Sequence, residues 1–491
     1  MLLMFFNENF NVKQKTILGD NFMKKVSKKV KFLAAVLGSL LISSSAFAVD
    51  LTLDNSAVKR ATAGQFSTDS DKIKASDIFD LQRAFLTAVY LGGGSFSTTG
   101  NGTDDALANA IGKINNNAIQ GAFGIPFSNG MYLGFAAKYK FDDSASISKD
   151  KDKNVSGNQY TINSQAAMKV AFRINEMAAL HYYLEFGPSF SGNPVYSIDK
   201  YIDKANKADY STIKNNGTWK HEIAASIKLG EHKLTIPVGI VFHANNMKYK
   251  GKFGDTKIDY VNYTGEDYIS LYLNPEFNLA LAAGPMTGIT VGANIGFGVN
   301  NNFGQNGTDP GQNIKYESKQ GKDRFAGDLY VSFPLKWSLA DDRVQLAMEP
   351  KASLGVAVTN TGNTYIKEGN NPSYGVAGYI SEVKFIPYAE LPIGTTWKPV
   401  EWWELRAGTA LMIQAETTWT TTIPAKTGKP QELDEANKTL NTDFITRAGI
   451  AGFFGMGFIV GEDFNIDLFA EVSKLNISTL SFGGQLTYRF N

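Results

Sequence analysis

The 491-residue chain contains no cysteine, which excludes a disulfide framework, a thiolate metal site, a cysteine nucleophile and an anchor through a lipidated N-terminal cysteine. Proline is sparse, at 15 residues, and no Pro/Ser-rich linker or break in composition divides the chain into soluble domains. Beyond residue 48 no stretch approaches eighteen consecutive apolar residues, so no helical membrane span is expected there. An excess of one charge is missing too. The 48 Lys and Arg against 47 Asp and Glu give a formal net charge of +1, which offers no polybasic surface to nucleic acid.

What is present begins at the N-terminus. From Met23 the chain runs through Lys24, Lys25, Lys28, Lys29 and Lys31, then an apolar run from Phe32 to Ile42, then Ser43-Ser44-Ser45-Ala46-Phe47-Ala48. This is the pattern of a secretory signal peptide (23–48), with cleavage expected after Ala48. Residues 1–22 precede this better start and are expected to be an over-extended gene reading. The leader holds seven Lys and two acidic residues, leaving 41 basic against 45 acidic side chains and a mature charge of about −4.

The main signal is period two. Leu480, Phe482, Gly484, Leu486, Tyr488 and Phe490 fall on one face, with Ser481, Gly483, Gln485, Thr487 and Arg489 on the other. Leu234, Ile236, Val238, Ile240 and Phe242 alternate with Lys233, Thr235, Pro237, Gly239, Val241 and His243, and similar segments surround Leu180–Phe186, Ile269–Leu281, Ile289–Phe297 and Leu329–Trp337. Short turns are expected near 128–130, 175–176, 230–231, 283–285, 340–342, 400–401 and 461–463. Long polar loops are expected at 142–157, 191–217, 248–264, 302–322, 359–373 and 421–440. A chain whose two faces differ in this way, with turns of alternating length, closes into one transmembrane antiparallel β-barrel. Seven short hairpins plus an opening strand near Ala84–Phe96 and a closing strand near Thr479–Phe490 give sixteen strands, with fourteen as the alternative. The barrel then covers 84–491, and residues 49–83 form an N-terminal periplasmic tail or a plug entering the lumen. Trp397, Trp402, Trp403, Tyr488 and Phe490 are placed to sit at a membrane interface.

The terminal segment Leu480–Asn491, LSFGGQLTYRFN, resembles the closing strand of bacterial outer-membrane β-barrels, although such strands usually end on the aromatic and this chain ends on Asn491. At the level of architecture the whole chain is similar to porins and to fatty-acid-transporter-like barrels. That resemblance implies the bacterial outer membrane as location, its lipid as surroundings, and recognition of the C-terminal strand by the barrel assembly machinery.

Catalytic patterns are missing. His181, His221, His232 and His243 lack metal-ligand spacing and are expected in the lumen or at its rim. No G-x-S-x-G elbow occurs, Gly92-Gly93-Gly94 and Gly452–Gly457 lack a P-loop lysine, and Asp142, Asp143, Asp150 and Asp152 have no EF-hand register. No enzyme, cofactor or metal is expected. The polar face supplies the candidate pore-lining residues Lys169, Arg173, Glu185, Lys233, Glu276, Asp328, Lys336, Glu349, Lys384, Arg406, Arg447, Glu471 and Arg489. On the same face lie Glu222, Lys228, Lys351, Glu382, Glu390, Glu404 and Asp467. Their balanced signs suit a channel for passive, weakly selective diffusion of small hydrophilic solutes. A transporter of hydrophobic compounds with an N-terminal plug, or a surface adhesin or antigen anchored by the barrel, are the alternatives. Oligomeric state is not legible.

Overall fold

The computed structural model describes residues 56–95, 117–141, 144–150, 155–162, 164–188, 196–203, 207–244, 246–309, 314–319, 322–361, 365–366, 378–427, 429–461, 463–473 and 479–490. The leader, Asp142, Asp143 and Asp152 lie outside them. Sixteen strands form one closed antiparallel barrel. The first seven are β1 (Ala84–Ser95), β2 (Asn117–Pro126), β3 (Tyr132–Phe141, continued by Ser144–Asp150), β4 (Val155–Ile162 and Gln165–Arg173), β5 (Ala178–Pro188 and Tyr196–Asp203), β6 (Ala208–Asn215 and Gly217–Leu229) and β7 (His232–His243 and Asn246–Phe253). The next four are β8 (Thr256–Leu273 and Glu276–Ala283), β9 (Met286–Asp309), β10 (Ile314–Lys319, Lys322–Ser332 and Leu335–Leu339) and β11 (Val344–Met348 and Lys351–Thr361). The series ends with β12 (Gly378–Val400), β13 (Trp403–Lys426), β14 (Thr439–Val460), β15 (Phe464–Ser473) and β16 (Thr479–Phe490). Closure is continuous, from Ala84 opposite Phe490 to Ser95 opposite Thr479.

The two faces separate as the alternation requires. Ile236, Val238 and Phe242 of β7 point outward and are exposed, as are Ile269 and Leu271 of β8 and Val291, Ile295 and Phe297 of β9. A wall of exposed Ile, Val, Leu and Phe is unfavourable in water and correct in hydrocarbon. On β6 the outward apolar series runs from Leu229 at the short-turn rim to Trp219, about 25 Å at about 3.3 Å per residue and a tilt of about 40°. Trp219 lies 4.3 Å from Phe186 at the upper edge. At the lower edge Trp402 stacks on Trp403 and Phe458, and Tyr488 meets Phe490 edge-on.

The short turns stand where the sequence places them, and at 461–463, where Glu462 lies outside the described residues, Val460 pairs with Phe464. Their tightness demands left-handed backbone, supplied by Gly230 at φ 65° in the β6–β7 turn and, without glycine, by Ala340, Asp341 and Asp342 at 54°, 54° and 67°. The long loops differ. Residues 248–253 and 256–264 are paired strand, Met286–Asp309 continues through 302–309, and within 421–440 β13 runs to Lys426, a short strand spans Lys429–Leu433 and β14 begins at Thr439. These extensions escape the period-two signal because they rise above the apolar belt, where both faces meet water and polar residues occupy both.

Ile236→Arg puts a cation on the lipid face and is expected to cost about 2–4 kcal/mol near the midplane. Ser353→Arg, on an inward position of β11, is expected to leave stability within about 1 kcal/mol. Urea unfolding in lipid vesicles measures both, and equal penalties would refute the facing.

Candidate functional site

The lumen is not lined by strands alone. Ser56 caps a short helix, α1 (Ala57–Ala61), with Lys59 N donating to Ser56 Oγ at 3.1 Å. Two 3-10 turns follow at Asp69–Lys72 and Ile78–Asp80. Asp71 ties the segment to itself, accepting from Ser56 N at 2.9 Å, Thr68 N at 2.8 Å and the Ser56 hydroxyl.

The inward wall grips this segment at several points. Ala57 N donates to Gln485 Oε1 of β16 at 2.9 Å, and Ala75 N donates to His181 Nδ1 of β5 at 3.0 Å. Arg489 Nε meets Asp69 Oδ2 at 2.7 Å. Arg173 of β4 donates through Nη1 to the carbonyls of Phe79 and Leu81, both at 3.0 Å, and through Nε to Gly130 O at 2.7 Å. Lys233 Nζ lies 3.3 Å from Asp80, whose side chain is half exposed, so this pair contributes at most about 1 kcal/mol.

Apolar packing outweighs that pair. Ile73, Ile78, Phe79 and Leu81 are buried against Phe85, Tyr132 and an inner wall of Ala122, Ala136, Ala167, Ala171 and Ala179. Each large side chain is worth roughly 2 kcal/mol on burial. Alanine makes the room. On the other side the backbone of residues 61–63 lies directly on Gly394, Gly408 and Gly455, where an added Cβ would collide with Thr62, Ala63 and the Ala61 side chain. These small residues occupy the face that sequence reasoning treated as polar. Their clustering on the inward parity was the missed signal, and with Gln485 and His181 they complete the binding surface for residues 56–83.

The charged candidates share this inward face, and most are paired. Arg406 sits between Glu404 at 3.0 Å and Asp467 at 2.7 Å, with all three side chains nearly buried. Lys169 lies over the Tyr183 ring at 5.2 Å, and Tyr183 donates to Glu185 at 2.7 Å. Tyr330 donates to Glu276 at 2.6 Å while Lys351 covers its ring at 4.3 Å. Asn294 donates to Asp328 at 3.0 Å, and Ser332 to Glu349 at 2.6 Å. Lys384 bridges Glu416 at 2.9 Å and Glu382 at 3.0 Å, with Arg447 3.9 Å from Glu416. Glu416 was missed because β13 continues well above the belt. Lys336 is exposed near the short-turn rim. The Glu471 side chain lies outside those described, although its backbone pairs with Ser481. His221 corrects an expectation: it faces outward, 2.8 Å from the Tyr182 hydroxyl, because β6 turns Glu222 inward instead. Glu222 contacts His181 at 3.0 Å and Tyr272 at 2.6 Å. Among the described residues no group of three or more His, Asp or Glu is placed to hold a metal ion.

By its closed ladder and apolar outer face the chain is a β-barrel of the bacterial outer-membrane type. No protein-family model and no curated protein sequence matches it. Among solved structures it is similar to a FadL homologue from Pseudomonas aeruginosa, at 12% identity over 91% of this chain and 100% of that one, with a TM-score of 0.32. It is also similar to the ferric yersiniabactin uptake receptor FyuA from Yersinia pestis, at 9% identity over 82% and 80%, TM-score 0.29. CdiB from Acinetobacter baumannii matches at 10% identity over 84% of this chain, which spans 60% of CdiB, with a TM-score of 0.30.

Gly408→Leu should force residues 61–63 off the wall while the barrel stays closed. Arg173→Met, which strips buried carbonyls of their donor, should weaken the docked segment by about 3 kcal/mol. Limited proteolysis within 56–83 in detergent reads both, and an unchanged cleavage rate in Gly408→Leu would contradict the docking.

Burial pushes the Asp71 carboxyl above its ordinary 3.8, partly offset by Lys59 and by bonds from Ser56 and Thr68. A raised folded pKa favours the docked segment below the unfolded value, and that contribution is lost as pH rises through the folded one. Proteolysis of the segment should therefore increase as pH rises from about 4 toward neutrality, and Asp71→Asn should flatten the dependence.

Proposed function

We propose that the chain is an outer-membrane channel for small hydrophilic solutes, in which residues 56–83 act as a plug that controls passage, and that the segment 23–48 directs its export and is removed after Ala48. The observation that carries this reading is the fixing of residues 56–83 to the inner wall through Arg173, His181, Gln485 and Arg489. Solute class follows from the inward face away from the plug, where Glu276, Asp328, Tyr330, Glu349 and Lys351 line the wall with polar groups. Such a lining suits sugars, small acids or amines better than apolar compounds. The long-loop rim then faces outward and the short turns face the periplasm.

Ungated, weakly selective diffusion is the second reading. It is favoured by the plug's described anchors falling on β1–β7 and β12–β16, while the polar inward residues of β8–β11 form a separate stretch of wall. Conductance in planar bilayers separates the two. The mature chain should pass little current, and removal of residues 56–81 should raise conductance at least about tenfold. Equal, high conductance in both forms would favour ungated diffusion, and no current in either would overturn the channel altogether.

A further inference from the structure

Above the apolar belt, β5 to β8 continue upward as part of a wider extension that also takes in β3, β4, β9 and β10. One row of its register runs Lys200, Ser211, Lys250, and the next on the same face runs Asp209, Lys252, Lys257. The pairing offset is the same at Thr218 opposite His243 as at Asn215 opposite Asn246, on either side of the undescribed Asn245, so the parity of the belt carries upward and this face is the outer one. These six residues line a concavity of about 700 Å³. Among the described side chains four ammonium groups meet there with one carboxylate, Lys200 and Asp209 standing 3.6 Å apart, and the first row continues to Asp259 of β8.

We propose that this concavity binds the phosphate groups of a glycolipid headgroup in the surrounding outer leaflet. The face is continuous with the lipid-facing wall below it, so a neighbouring lipid meets it directly, whereas a solute bound for the lumen does not. Height selects the kind of lipid. Phe242, paired with Trp219, marks the top of the belt, and Lys250 stands eight residues further along β7, about 20 Å higher at the strand's rise and tilt. The headgroup zone of a simple phospholipid bilayer is only about 5–8 Å deep on each side, so a plain glycerophospholipid phosphate falls short. A phosphorylated oligosaccharide headgroup reaches it, and lysines serve as point-charge partners for phosphate.

The inference rests on the outer-membrane placement of the barrel, but retention of lipid is measured without reference to transport, so its failure leaves the channel reading standing. The mature chain, purified in detergent, is mixed with a glycolipid bearing phosphorylated core sugars, with the same glycolipid after phosphatase treatment, and with its acyl-free oligosaccharide. Retention is counted by native mass spectrometry. The phosphorylated glycolipid should be retained at least about tenfold better than the dephosphorylated form, with the preference falling as salt rises. Lys250→Gln with Lys252→Gln should remove most of that preference, at about fivefold per lysine, while heat-modifiable gel migration shows an intact barrel. Should that variant not fold, Lys252→Gln alone and the salt titration of the unmodified chain decide. Equal retention of phosphorylated and dephosphorylated forms, or an unchanged preference in the folded variant, overturns the site. Equal retention of the acyl-free oligosaccharide overturns the assignment to lipid.

Discussion

Lipid offers no partner to a backbone N–H, and the pairing of β1 with β16 is therefore the contact on which every other feature depends. Without it two strand edges would lie open in hydrocarbon. With it, the pleat of each strand acquires an inside and an outside, and the sequence can treat the two faces as different solvents. Outside, Ile, Val, Leu and Phe face lipid over a belt bounded by Trp219 and Phe186 above and by Trp402 and Phe458 below. Inside, the same geometry brings residues from opposite ends of the chain to one surface.

That inner surface has two textures, and the division follows the size of the side chains. Around β2 to β5 it is paved with alanine, and on β12 to β14 with glycine at the level of residues 61–63, so the wall recedes and accepts a packed segment. Elsewhere it carries Glu, Lys and Tyr in mutually satisfied clusters such as Lys384 with Glu382 and Glu416. Buried networks like Arg406 with Glu404 and Asp467 hold their geometry because each charge has a partner, and removing one partner would leave an uncompensated charge. The lumen thereby combines an apolar seat for residues 56–83 with a separate polar stretch of wall.

The barrel was legible because closure in lipid imposes a strict alternation that survives in segments such as Leu234–Phe242 and Leu480–Phe490, and because tight turns need residues such as Gly230. The inward facing of Arg173, Lys233 and Arg489 followed from the same parity. What these side chains touch did not, since Arg173 binds carbonyls of residues 79 and 81 and Arg489 binds Asp69, contacts that no local pattern encodes. Alanine and glycine on the inward parity fit close packing, but which segment packs on them is not written in any local pattern. The upper strand extensions were read as loops because alternation fades once both faces are wet. His221 stood one residue out of the lumenal phase, a distinction that a list of histidines cannot carry.

The bond from Ala57 to Gln485 spans 428 residues, and this separation orders events in time. The helix Ala57–Ala61 completes its seat only after the last strand has been added, so this part of the interior joins residues from far apart in the chain. The apolar side chains of Ile73, Ile78 and Leu81, by contrast, dock on β1 to β5, which precede the closing strand. The chain therefore carries within itself a ligand for its finished form, and the bond from Ala57 to Gln485 is an internal record that the last strand is in place.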